Sequence, residues 1–124
     1  MTAPYGATVL EHFRRPRNQR ALERPTVVRD GYNPLCGDRV RMELEVAAGR
    51  IVAAAFTANA CAICTASASM LTERLHGVAT ADAASISDAD MVGAIGETLP
   101  AGRIVCVTLP LKALREALSA LSPA

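Results

Sequence analysis

The chain lacks tryptophan and has few aromatic residues of any kind. Its 124 residues include only two tyrosines and two phenylalanines, while 51% are hydrophobic and 20% charged. Any core must therefore be built from short aliphatic side chains that pack closely. This length and composition are typical of one compact domain, and we expect a single domain over residues 1–124.

Long apolar runs and a strong charge of one sign are also missing. No stretch approaches the roughly 20 consecutive apolar residues of a membrane-spanning helix, and the first residues lack the basic-then-apolar layout of a signal peptide. A formal net charge of +1 gives no broad electrostatic reason to bind nucleic acid or an acidic membrane. We therefore expect a cytoplasmic protein with no nucleic-acid and no membrane partner.

The basic residues are unevenly distributed. Five arginines crowd one segment near the N-terminus: Arg14, Arg15, Arg17, Arg20 and Arg24. Lys112 is the only lysine, and no aromatic residues are interleaved, which makes a poor platform for nucleic acid. The segment favours a protein partner with an acidic surface.

Hydrophobic periodicity predicts a small α+β domain. The predicted elements are, in chain order, a helix over 4–13, a brief strand over 26–28, a turn-rich loop over 30–38, strands over 40–46 and 50–58, a helix from 62 to 76, one or two short helices within 78–99 and a helix over 110–121. Ala48-Gly49 joins the two longer strands as an antiparallel hairpin. We expect a small three-stranded antiparallel sheet packed against several helices.

Three of the four cysteines are predicted at element ends or in loops. Cys36 lies in a turn-rich loop two residues before Asp38, which could supply half of a metal site. Cys61 falls between a strand and a helix, where the helix dipole favours a thiolate. Cys106 is predicted in the same setting, after the extended segment Arg103-Ile-Val and before a helix that starts at Pro110. The spacing matches no zinc-finger pattern, and cysteines that simply lie in the interior remain an alternative.

The fourth cysteine and the two histidines favour structural interpretations. Cys64 shares a helical stripe with Ala68 and Leu71 and is expected in the core, with a Cys-x-x-Cys zinc half-site as the alternative. His12 and His76 lie near the ends of predicted helices, and we interpret both as structural.

Several segments together resemble the U-type iron-sulfur cluster assembly scaffolds, the family of IscU, SufU and the N-terminal domain of NifU. The resemblance runs over nearly the whole chain. Its most specific segments are Leu-Glu-His-Phe-Arg-Arg-Pro-Arg-Asn at 10–18, Asn-Pro-Leu-Cys-Gly-Asp at 33–38, Cys61 with Ala-Ser-Ala-Ser-Met-Leu-Thr-Glu at 66–73, and Arg-Ile-Val-Cys at 103–106. It implies the SufE/NifU-like fold, with cluster or metal ligands at Cys36, Asp38, Cys61 and Cys106.

Departures from the family pattern separate its subfamilies. IscU-like proteins carry a histidine before the last cysteine, whereas this chain has Val105, so the implied ligand set is that of SufU-like proteins. The short spacing between Glu73 and Arg103 is instead IscU-like. Three of five residues at 99–103 differ from the chaperone-binding Leu-Pro-Pro-Val-Lys segment, so the resemblance does not imply a chaperone contact.

The resemblance implies a non-enzymatic scaffold that receives sulfur from a cysteine desulfurase and passes a labile [2Fe-2S] cluster to acceptor or carrier proteins. Cys36 and Cys106 are the implied persulfide acceptors. The first alternative is a zinc-dependent sulfurtransferase that uses the same four ligands, which the missing histidine and the presence of Arg103 favour. The second is a structural zinc module that binds other proteins.

Overall fold

The computed structural model describes residues 5–121. Its elements, in chain order, are α1 (Ala7–Arg14), β1 (Val27–Asn33), β2 (Asp38–Ala47), β3 (Arg50–Asn59), α2 (Ala62–Leu75), α3 (Thr80–Ala83), α4 (Asp88–Ile95) and α5 (Ala101–Leu121). The predicted first helix began at residue 4, which lies outside this range. Within it, no helix is both long and apolar enough to span a membrane.

The three strands form one antiparallel sheet in the order β1-β2-β3. Ala48 and Gly49 connect β2 to β3 with φ angles of 52° and 73°, the paired positive values of a type I′ hairpin. Alternate residues of β2 (Val40, Met42 and Leu44) are fully buried. The predicted α+β fold, a three-stranded antiparallel sheet with helices packed on it, is confirmed.

Strand β1 is longer than predicted. We expected it to end at residue 28 and to give way to a loop over 30–38, but it continues to Asn33, which pairs with Asp38. The loop prediction over 30–33 was wrong because Gly31 lies within the strand, where its lack of a side chain makes room for Leu109 of α5. A Cβ atom there would lie 3.2 Å from both the carbonyl oxygen and a side-chain methyl of Leu109, so only glycine lets α5 come this close.

Helix α2 is the centre of the packing and is buried along most of its length. It contacts α1, α4, α5 and β3. Several of its buried side chains are small and polar, and Ser67, Ser69 and Thr72 form hydrogen bonds; Ser67, for example, donates to the carbonyl of Val107 on α5. Such side chains let helices approach closely without leaving unpaired polar groups.

The prediction for the last helix was wrong at its start. Helix α5 begins at Ala101, so residues 103–105 are helical rather than extended and Pro110 lies inside the helix. An internal proline costs a helix about 3 kcal/mol and removes the donor to the carbonyl four residues earlier, here that of Cys106. Burial of Val107, Leu111 and Leu114 in the core offsets this cost.

Candidate metal centre

Cys36 is exposed on the tight turn between β1 and β2. The carbonyl of Asn33 accepts a hydrogen bond from the N–H of Gly37 at 2.8 Å, and its side-chain Oδ1 accepts one from the N–H of Leu35 at 3.0 Å. Gly37 completes the turn with φ of +77°. From the sequence, Asn33 was named only as part of the turn-rich segment 33–38 and not for the two hydrogen bonds that hold the turn.

Asp38, the first residue of β2, points into the protein and is only 6% exposed. Its Oδ1 accepts a hydrogen bond from the backbone N–H of Cys61 at 3.1 Å. Its Oδ2 is buried and has no hydrogen-bond partner among residues 5–121. An unpaired buried polar atom costs about 1–3 kcal/mol, so this oxygen is placed to accept a cation or a proton donor.

Cys106 faces inward from the first half of α5 and is 3% exposed. We expected it at a helix start, but it lies inside the helix because α5 begins five residues earlier. Burial and the neighbouring Cys61 raise the pKa of its thiol to about 12, and a hydrogen bond with Arg103 partly opposes this rise. A metal bound here would have to displace the thiol proton.

The ligand atoms of Cys36, Asp38 and Cys106 all lie within 4.8 Å of one another. Cys36 and Asp38 are neighbours on the β1–β2 turn and the start of β2, whereas Cys106 is brought to them by the packing of α5. Two sulfurs and a carboxylate oxygen suit zinc or iron, and the unpaired Oδ2 of Asp38 gives such an ion an acceptor. The residues present therefore fit a metal.

Cys61 lies beside this group, but its sulfur is not within it. As predicted, it lies between β3 and α2, directly before the first helical residue; its Sγ caps the helix by accepting a hydrogen bond from the N–H of Cys64 at 3.4 Å. Its backbone joins the group through the bond to Asp38. Three of the four predicted ligands therefore converge, and the fourth is adjacent: the Cys61 thiol accepts from the N–H of Cys64 and also neighbours the Cys106 thiol, whose pKa it raises.

The residues interpreted as structural are not part of the ligand group. Cys64 is fully buried, as predicted, and its burial raises the pKa of its thiol. His12 contacts Ser69 Oγ through Nδ1 at 2.7 Å, and His76 contacts the carbonyl oxygen of Ala54 through Nε2 at 3.1 Å. All four cysteines are free thiols.

An open depression of about 510 Å³ leads to the cluster. Its lining residues are Asn33, Leu35, Cys36, Pro100, Gly102, Arg103, Val105 and Cys106. Leu35, 92% exposed, and Val105, 48% exposed, give it an apolar rim. Sequence reasoning did not identify this rim, because single apolar residues in a turn and a helix carry no periodic signal.

The chain belongs to the family described as the NifU-like N-terminal domain, whose model matches residues 4–122. The family resemblance stated from the sequence is thereby confirmed. A bifunctional NifU/MnmA protein of Rubrobacter xylanophilus is 38% identical over 94% of this chain, which spans only 24% of that protein's length.

Two shorter relatives match along most of their length. The zinc-dependent sulfurtransferase SufU of Bacillus subtilis is 31% identical, with 90% of this chain covering 87% of that protein. The iron-sulfur cluster assembly scaffold protein IscU 1 of Archaeoglobus fulgidus is 33% identical, with 92% of this chain covering 74% of that protein. Among solved structures, a SufU of Fervidobacterium islandicum AW-1 superposes with a TM-score of 0.76 at 22% identity, covering 92% of this chain and 96% of that one, which supports the fold alone.

Proposed function

We propose that this protein is an iron-sulfur cluster assembly scaffold that binds iron or a labile [2Fe-2S] cluster at Cys36, Asp38, Cys61 and Cys106. The observation that carries the proposal is the buried, unpaired Oδ2 of Asp38 beside the sulfurs of Cys36 and Cys106. The scaffold relative in Archaeoglobus supports it.

The donor set is suited to transient binding. Thiolates are the ligands that iron in sulfide clusters prefer, whereas a carboxylate is a harder and more exchangeable ligand among them. Asp38 would therefore be the most weakly bound ligand of the site, and the cluster would be cargo rather than a permanent cofactor. Cys61 would complete the set after rotation of its side chain away from the N–H of Cys64.

Exposure favours Cys36 over Cys106 as the first persulfide acceptor. Cys36 is exposed on its turn, whereas Cys106 is buried inside α5. The thiolate of Cys36 would attack the outer sulfur of a desulfurase persulfide, forming a new S–S bond as the desulfurase cysteine leaves as a thiolate. Cys106 would then bind the metal without meeting the desulfurase directly.

The proposed partners are a cysteine desulfurase and the proteins that accept or carry the cluster. The apolar rim formed by Leu35 and Val105 offers a contact surface beside the acceptor thiol. Ligation of iron or zinc at this site needs thiolates, which a reducing compartment preserves, so the proposal includes a cytoplasmic location.

A zinc-dependent sulfurtransferase is the second candidate function, and the Bacillus relative favours it. The same four residues would hold zinc, and Cys36 would leave the metal to accept sulfur. Val105 in place of a histidine, together with Arg103, which lines the same depression as Cys106, supports this candidate. A structural zinc module is the third candidate, but an accessible thiol at an open depression argues against a closed, inert site.

One preparation distinguishes the candidates. The full chain is purified without oxygen, its metal and acid-labile sulfide are measured, and desulfurase turnover is then measured with and without it. Labile sulfide with visible absorbance supports the scaffold; tightly bound zinc with strong stimulation of turnover supports sulfur relay. Tightly bound zinc without stimulation supports the structural module.

Two variants test the site in the same assays. We expect Cys36→Ser to abolish sulfur acceptance. Ser85 is exposed between α3 and α4, and Ser85→Ala should leave sulfur acceptance unchanged. Full sulfur acceptance by Cys36→Ser would contradict the assignment of Cys36.

A further inference from the structure

Cys61 and Cys64 form a cysteine pair that the metal site does not fully use. The sequence Cys-Ala-Ile-Cys starts at the residue preceding α2, with Cys61 as the helix cap and Cys64 in the first turn. The Sγ atom of Cys61 lies 3.4 Å from the backbone nitrogen of Cys64. The first sulfur is thus packed against the residue that carries the second.

The two thiols differ in access. Cys61 is half-buried, whereas Cys64 is fully buried in the core. A reagent in solution can therefore reach Cys61, and only a neighbouring group inside the protein can reach Cys64. A Cys-x-x-Cys pair at a helix start with one outer and one inner thiol is the arrangement used by disulfide oxidoreductases.

The spacing permits a bond between the two sulfurs. Cys61 caps α2 with an extended backbone (φ −67°, ψ 168°) and Cys64 is the third helical residue, which are the positions of a Cys-x-x-Cys pair at a helix start. A disulfide requires Cα separations of about 4.4–6.8 Å and Cβ separations of about 3.5–4.5 Å. Cβ atoms three residues apart inside a helix lie roughly 5–6 Å apart, so it is the extended backbone of the cap that lets these two side chains meet. No movement of α5 or of the β1–β2 turn is needed, since both cysteines belong to one turn of one helix.

We propose that Cys61 and Cys64 form a reversible disulfide, and that this modification removes the Cys61 sulfur from the metal centre. The pairing itself is independent of the proposed function, whereas its effect on the cluster rests on it. Oxidation would leave Cys36, Asp38 and Cys106 as an incomplete ligand set, so the protein would release its metal under oxidising conditions and recover when reduced.

The oxidant is a small-molecule disulfide. The Cys61 thiolate attacks one of its sulfurs, which breaks the small S–S bond, forms a mixed disulfide and releases one small thiolate. The Cys64 thiol then gives up its proton and attacks the Cys61 sulfur, releasing the second small thiolate. The two cysteines lose two electrons and two protons, and the small disulfide becomes two thiols.

Peptide mapping tests the pairing directly, because of where trypsin cuts. Cys61 and Cys64 share the tryptic peptide 51–74, Cys36 lies in 30–39 and Cys106 in 104–112. The metal-free full chain is treated with hydroxyethyl disulfide, quenched in acid, alkylated and digested. We expect peptide 51–74 as a single unalkylated peptide lighter by two hydrogens, with the other two peptides alkylated. A cross-linked product such as 30–39 joined to 104–112, whose thiols are also close, would overturn the proposal.

Zinc release supplies a second readout. The zinc-loaded wild type and Cys64→Ala are oxidised with the same reagent while a chromogenic chelator records free zinc. We expect the wild type to lose zinc at least tenfold faster and to regain its capacity after treatment with a dithiol. Equal release rates would overturn the effect on the metal. Failure of Cys64→Ala to fold leaves the mapping of the wild type decisive.

Discussion

Replacement of Asp38 by alanine removes both the hydrogen bond that the carboxylate accepts and its unpaired buried oxygen. The carboxylate forms one hydrogen bond, from its Oδ1 to the N–H of Cys61, and leaves Oδ2 buried and unpaired. A hydrogen bond to a charged group contributes about 1.5–3 kcal/mol, and an unpaired buried oxygen costs about 1–3 kcal/mol. The two terms nearly cancel in the metal-free protein. We therefore expect Asp38→Ala to change its free energy of unfolding by no more than about 2 kcal/mol in either direction.

The loaded protein should respond differently. If the carboxylate is the exchangeable ligand, its loss leaves a cluster held by thiolates, and we expect slower transfer of the cluster to an acceptor protein. Transfer is followed by visible circular dichroism, and stability by urea unfolding in the presence of a chelator.

Asp30→Ala is the matched control for these measurements. This carboxylate lies on the neighbouring strand and is exposed, with an ion pair to Arg41 at 3.0 Å. We expect it to alter neither stability nor transfer appreciably, since exposed ion pairs contribute little. Unchanged transfer by Asp38→Ala would refute the proposed ligand role. A loss of stability above about 3 kcal/mol without metal would refute the energy balance, because the hydrogen bond alone cannot supply it.

Three further changes have defined outcomes. Burial and the guanidinium of Arg17 lower the pKa of His12 from its ordinary value of 6.5. The unfolded chain therefore binds a proton at His12 at a higher pH than the folded protein does. The free energy of unfolding should consequently fall as the pH drops below about 6.5, with a slope of at most about 1.4 kcal/mol per pH unit. Urea unfolding at several pH values should show this slope in the wild type and its loss in His12→Asn, and an unchanged slope would contradict the assignment. Gly31→Ala should destabilise the fold by about 1–3 kcal/mol in urea unfolding, because its Cβ would crowd α5; unaltered stability would show that the helix can yield. Gln substitutions of the exposed Arg14 and Arg15 should weaken desulfurase binding in a pull-down or calorimetric titration. The same substitutions of the exposed Arg29 on β1 and Arg50 on β3 are the control. Unaffected binding by the Arg14 and Arg15 variants would contradict this contact.

Local periodicity was sufficient for the parts of the fold that local physics controls. The Ala48-Gly49 turn and the helical stripe that contains Cys64 each follow from neighbours along the chain, and the structure agrees with both. The alternation of buried and exposed residues in β2 holds from Arg39 to Met42 but is wrong at Glu43, which is buried and accepts a hydrogen bond from the N–H of Leu22. Position-specific motifs also identified the family. The errors lie where a residue serves a distant contact: Gly31 accommodates α5 rather than a turn, and Pro110 lies inside a helix that core burial stabilises.

The sequence by itself limited the possible ligands, because donor chemistry belongs to the side chain, and the family resemblance implied Cys36, Asp38, Cys61 and Cys106 among them before any fold was known. Only the tertiary structure decided how these residues are arranged. Packing of α5 on the sheet brings Cys106 to the turn that carries Cys36, buries one oxygen of Asp38 without a partner and turns the sulfur of Cys61 toward Cys64. Those distances depend on contacts between residues far apart in the chain, which no local pattern records.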